Sequence, residues 1–220
     1  MSFKILFLDE LKGFYKSKIM IILWIGMPTL SILMHYLIPS TEGFPVSSLV
    51  AILISYISGM LSSAMISTSI ANEKNNHVYD LFLIRPVKRY NILLSKFCAV
   101  YLCLIIATVI SLAMGLIIDI LTIGVPSQYF LEETFKSLTI SFSSMAISCS
   151  IGTFFGVSIS SIAAAAILSV YVGSQVSAIA TLPVLFIESL NSVLIALLVA
   201  IPLTFTFLII SIVLFSKKQF

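Results

Sequence analysis

The run "KFCAVYLCLIIATVISLAMGLIID", residues 96–119, holds 22 consecutive uncharged residues between a lysine and an aspartate. An α-helix rises about 1.5 Å per residue, so such a run reaches about 33 Å, the thickness of bilayer hydrocarbon. A helix this apolar on every side has no water-facing surface, which makes the run a membrane span. On its N-terminal side lies "NEKNNHVYDLFLIRPVKRYNILLSK", residues 72–96. That stretch carries seven of the chain's 21 charged side chains.

The same reading extends over the whole chain. Of its 220 residues 60% are hydrophobic and 10% charged, and the mean hydropathy is +1.16. A soluble domain carries about 25% charged residues to cover its surface. This surface therefore faces lipid, and the chain is an all-α integral membrane protein in one transmembrane domain, residues 1–220. Six spans are expected: 19–38, 48–71, 97–118, 137–158, 162–182 (stopping at Pro183) and 191–215. Pro202 lies inside the last, where a kink is expected rather than a break.

With both termini inside, the cytoplasmic face holds Lys4, Lys12, Lys16, Lys18, Lys74, Arg85, Lys88, Arg89, Lys96, Lys217 and Lys218. Only Lys136 falls outside. That asymmetry is the positive-inside signature and predicts cytoplasmic N- and C-termini in a cell membrane. Residues 1–18 form an amphipathic lead: Phe3, Phe7, Leu11 and Phe14 recur at helical spacing, with Asp9, Lys12 and Lys16 opposite. Such a helix lies along the inner membrane surface with its lysines near anionic headgroups.

The charged stretch then falls on the cytoplasmic side. Its first half is expected to form a short helix with Val78, Leu81 and Phe82 on one face, ended at Arg85-Pro86. Lys88, Arg89 and Lys96 are expected at headgroup level where the chain re-enters the membrane. A short amphipathic helix there can rest on lipid or fit a groove on another protein.

The order Glu73, Lys74, Asp80, Pro86, Val87, Arg89, Leu93 and Lys96 resembles the first cytoplasmic loop of ABC-2 type transporter permeases. That family's loop runs roughly E-(R/K)-x-x-G-T-x-(E/D)-x-L, then P-(V/L)-x-R and (I/L)-(L/V)-x-x-K; its Gly-Thr pair is absent here, with Asn76-His77 nearby. The resemblance implies a coupling helix, residues 73–90, that docks on a separate ATP-binding subunit. Glu73, Val78, Asp80, Leu81, Phe82, Arg85, Pro86 and Arg89 would make that contact. It further implies two ATP-binding subunits carrying ATP and Mg, a second permease copy (the same chain or a related one), and export as the direction. Small re-entrant helices between spans five and six are usual in the family, and "LPVLFIESLNS", residues 182–192, is the corresponding stretch. Nucleic acid is not expected among the partners.

Chemistry of the chain's own is not expected. There is no GxxxxGK[ST] to cradle phosphates, and no GxSxG, HExxH or CxxC. Cys98, Cys103 and Cys149 sit in apolar runs as small hydrophobes, and His35 and His77 are far apart. No enzyme activity, cofactor or metal is therefore assigned to this chain. The carboxylates lie at or beyond span ends, with Asp119 and Glu188 interfacial. An ion-coupled carrier would be expected to hold one near the midplane.

Small residues mark the spans instead. Ser148, Gly152, Gly156 and Ser160 recur every four residues, as do Ala165, Ser169, Gly173 and Ser177. Such stripes let helices approach closely, and Gly152, Gly156 and Gly173 are the expected packing seam. Ser62, Ser63, Ser67 and Thr68 form a hydroxyl-rich face that would suit a polar route. Residue types alone also fit an autonomous channel, an ion-coupled carrier, or a scaffold or immunity protein that transports nothing.

Overall fold

A computed structural model describes residues 3–37, 46–76, 78–79, 88–122, 128–186 and 192–217. Among these residues there are seven helices and no strand. They are α1 (Phe3–Tyr15), α2 (Lys18–Leu37), α3 (Val46–Asn75), α4 (Arg89–Thr122), α5 (Gln128–Ser158), α6 (Ile162–Phe186) and α7 (Ser192–Lys217). Four are long and apolar enough to cross a membrane: Arg89–Leu121, Thr134–Ser158, Ile162–Ile179 and Val193–Lys217. A fifth is reached if Phe3–Tyr15 and Met20–Leu33, bent by 63° to each other, count as one broken span.

Several helices outrun their hydropathy. The 34 residues of α4 start at Arg89 and the 31 of α5 at Gln128, where the apolar runs begin only at 97 and 137. Backbone hydrogen bonding continues into the polar zone at a bilayer's edge, so hydropathy marks the lipid-embedded part and not the helix end. Pro183 was expected to stop the fifth span, yet α6 continues to Phe186. A proline removes one donor and bends a helix, and the turns around it can still close.

The interior sets many small hydroxyl side chains beside an apolar core, and the outside is apolar. Ser58, Ser62, Ser63, Ser67, Ser148, Ser150, Thr153 and Ser169 are buried, whereas Ile106, Ile110, Leu198, Ile201, Ile209 and Ile210 face outward. In lipid no hydrophobic force drives helices together, so small side chains that permit close van der Waals packing take the centre. The centre is α5, the most enclosed span, with α3, α6 and α7 around it. A Cβ on Gly152 would lie 2.6 Å from the Ser63 carbonyl oxygen and 2.8 Å from its Cα. One on Gly156 would lie 3.0 Å from the Ser67 oxygen, so glycine sets the separation of α3 and α5 at both levels. Gly173 seats α6 more loosely, its Cβ position 3.3 Å from that of Ser63.

Hydroxyls stitch the same faces: the Ser67 and Ser169 hydroxyls meet at 2.8 Å, and Ser169 also donates to the Ser63 carbonyl at 3.2 Å. The arm formed by α1 and α2 packs chiefly on α4. Ser111 donates to the Met27 carbonyl at 2.7 Å, Ser31 meets Ser111 at 2.9 Å, and the Trp24 indole donates to the Cys103 carbonyl at 3.3 Å.

Candidate functional site at the charged end of the bundle

One end of the bundle gathers most of the described charges. There the C-terminal turns of α3, α5 and α7 meet the start of α4, the start of α6 and all of α1. At its centre is Lys96, one of the largest fully buried side chains, with 1% of it exposed. The ammonium donates to Glu10 Oε2 at 3.1 Å, to Ser69 Oγ at 3.1 Å and to Glu73 Oε1. Its three N–H donors are thus matched by acceptors on α1 and on α3, and the Phe14 ring lies 5.7 Å away. A buried charge costs several kcal/mol in lost hydration unless every donor is met. Here every donor is met, and α1, α3 and α4 are joined at one point.

Headgroup level was the expected position of Lys96; the structure turns it inward. The reason is Glu10. It lies on the apolar face of α1 between Phe3, Leu6 and Phe7 on one side and Phe14 on the other, a position from which a carboxylate must meet the packed neighbour. Burial raises the Glu10 carboxyl above its ordinary range, Lys96 opposes this, and the neighbouring Glu73 charge adds to it. Two carboxyl groups thus share one ammonium.

Glu73 extends the network toward the loop. Ser69 donates to Glu73 Oε1 at 3.3 Å, and the Tyr79 phenol is hydrogen-bonded to Glu73. Burial first, and the Glu73 charge second, hold that phenol well above its ordinary value. The Tyr79 ring then meets Phe215 of α7 edge-on at 5.1 Å.

The other loop cations also turn to the bundle. Lys74 Nζ approaches the Val157 and Ile159 carbonyls at 3.4 and 3.5 Å and the Ser160 hydroxyl at 3.2 Å. Asn75 donates to the Ser160 carbonyl at 2.9 Å. Arg89 Nη1 donates to the Phe215 and Ser216 carbonyls at 3.5 and 3.2 Å. A cation at a helix C-terminus meets carbonyls with no helical partner and the negative end of the helix dipole. Lys74 therefore caps α5, and Arg89 caps α7.

Of the residues expected to meet a partner, Glu73 belongs to α3, Val78 is half-buried beside Tyr79, and Arg89 opens α4. Asp80, Leu81, Phe82, Arg85 and Pro86 lie outside the described residues, as do 187–191 of the expected re-entrant stretch. Sequence reasoning missed Glu10, Ser69 and Tyr79. Only Glu10 left a signal, a carboxylate within an apolar stripe. Asp119, expected at the interface, is 1% exposed and enclosed by protein at the far end of α4.

Toward the far half, a groove of about 300 Å³ lies between α4, α5 and α7, lined by Tyr101, Thr139, Phe142, Ser143, Leu197 and Ile201. Its hydroxyls bond backbone carbonyls: Tyr101 to Phe142 at 3.2 Å, Ser143 to Thr139 at 2.9 Å and Thr139 to Lys136 at 2.8 Å. A second groove, between α2 and α3, is lined by Ile22, Leu23, Met27, Leu30, Ile57 and Leu61. Both present mainly apolar walls and open to the surface of the bundle.

No functionally curated protein matches the sequence. A family model described as ABC-2 family transporter protein matches residues 6–218, nearly the whole chain. Together with the helical bundle and its apolar exterior, that match makes the chain a member of the ABC-2 family of transporter proteins, a multi-pass membrane component of a transporter.

Proposed function

We propose that this chain is the permease subunit of an ATP-driven ABC exporter. Two permease copies, the same chain or a related one, enclose the route, and two separate ATP-binding subunits carrying ATP and Mg drive it. The family match over residues 6–218 is the observation that carries this reading. Six helices, α2 to α7, then cross the cell membrane, α1 lies at its inner surface, and both termini face the cytoplasm. The gathering of Lys74, Arg89 and Lys96 at one end, with Lys136 near the start of α5, supports that orientation.

Residues 73–90 supply the coupling segment. Val78, Asp80, Leu81, Phe82, Arg85 and Pro86 are the residues proposed to meet the ATP-binding subunit. Arg89 takes part from the loop's return, while Glu73 anchors its other root within the bundle. Gly152 and Gly156 bring α3 and α5 to backbone contact within one chain, which favours a route between two copies.

The test is co-expression with ATP-binding subunits of the same organism. The wild-type chain is expected to co-purify with one of them and to raise its ATP turnover when both are in liposomes. The double substitution Leu81→Asp/Phe82→Asp should abolish co-purification while leaving the permease folded. Solute flux through liposomes holding this chain alone, without ATP, would instead identify an autonomous channel or carrier.

A further inference from the structure

The loop resemblance assigns Glu73 to a partner, but its carboxylate is already engaged inside this chain. It meets Lys96, the residue at the other end of the same pattern, and Lys96 is also met by Glu10 from α1. The loop therefore leaves the bundle at Glu73 and its return is anchored within two turns of Arg89, with one ammonium holding both roots. Glu10 brings in a helix 63 residues earlier in sequence.

We infer that Lys96 is a positioning residue that binds α1 and the root of the loop into one moving unit, and that Glu73 and Lys96 act on each other and not on a partner. The groups facing Lys96 are Glu10 and Phe14 from α1, Ser69 and Glu73 from α3, and Tyr79 through Glu73. A push on the loop moves Glu73. Lys96 follows, because separating it leaves a buried ammonium and two carboxylates without counter-charge. Glu10 follows Lys96, and α1 follows Glu10. Any displacement delivered to residues 78–88 thus reaches α1 directly, by way of α4. The transport consequence rests on the permease reading above; the join itself does not.

Hydrogen exchange on the full chain in nanodiscs, read by mass spectrometry, measures the two parts separately. Lys96→Met should raise exchange in peptides from both α1 and residues 69–79. Glu10→Ala should raise it in α1 alone, and since it alters only the terminal helix it keeps the test open if the lysine variant does not fold. The exchanged pair Glu73→Lys/Lys96→Glu keeps two carboxylates and one ammonium in place and should return residues 69–79 toward wild-type protection. Unchanged α1 exchange in Glu10→Ala, loosening confined to one segment in Lys96→Met, or no recovery in a folded exchanged pair would each overturn the inference.

A second arm uses the assembled transporter. The exchanged pair should still bind the ATP-binding subunit. Loss of binding with wild-type exchange in the permease would show that these two residues touch the partner after all. Failure of wild-type assembly would count against the permease reading and leave the exchange results standing.

Discussion

Glu10 illustrates how one side chain can set the behaviour of an arm. Its carboxyl sits above the ordinary value of 4.5, chiefly through burial. A carboxyl raised in the folded state contributes stability that is fully present below its ordinary value and lost as pH rises through the raised one. The grip on α1 should therefore be firmest at acid pH and loosen as pH climbs through that window. Glu10→Gln, uncharged throughout and able to accept from Lys96, should hold α1 firmly across the range. Trp24 is the only tryptophan, and Tyr15 of α1 lies edge-on to it at 5.5 Å, so its emission reports the arm's position. Asp9, Glu73 and Tyr79 are unchanged in that variant. Superimposable pH curves for the wild type and Glu10→Gln would refute the assignment to Glu10.

At the level of helices, the spacing of glycines separates contacts that must be close from those that need not be. Gly152 faces the backbone of Ser63, which cannot yield as a flexible side chain could. Gly152→Ala should force α3 and α5 apart and cost about 1–3 kcal/mol, the usual penalty for overpacking. Gly26 in α2 has nothing within 4 Å of its Cβ position. Gly26→Ala should stabilise by about 0.5–1 kcal/mol, the entropic cost of glycine inside a helix. Steric-trap or denaturant unfolding in bicelles measures both. The contrast matters more than either value, because equal effects would mean that helix propensity and not close approach governs the pair. The four-residue repeat pointed to Gly152, but it could not say that Ile66 and Ser63 would be the neighbours met. The repeat sets Gly152 apart from Gly26, and the packing shows what a side chain at each would meet.

For the whole molecule, the alternation of α2 to α7 brings the ends of α3, α5 and α7 and the beginnings of α4 and α6 to the Lys96 end. Single-cysteine labelling on a background lacking Cys98, Cys103 and Cys149 tests the sidedness. Cysteines replacing Lys88 and Lys217 should react only from the cytoplasmic side, and one replacing Lys136 only from the outside. Reaction of positions 88 and 217 from opposite sides would break the six-span arrangement. The turn at Ser158–Ile162, which has no charge to orient it, is placed by Lys74 and Asn75 reaching Val157, Ile159 and Ser160. That connection is long-range and has no counterpart in local sequence.

The sequence by itself determined the solvent, the number of apolar runs and the family. Lipid, unlike water, demands uncharged helices of a set length, and composition records that demand residue by residue. It also identified the charged loop and the small-residue stripes, since both are periodic or local patterns. Only the tertiary structure decided where the charges point. Lys96 and Arg89 look like headgroup anchors in a linear reading, because a lysine or arginine beside an apolar run usually reaches for water. Lys96 instead meets Glu10, 86 residues away, together with Glu73, and Arg89 meets the open terminus of α7, 126 and 127 residues away; partners so distant as Glu10 and α7 leave no trace in the local pattern.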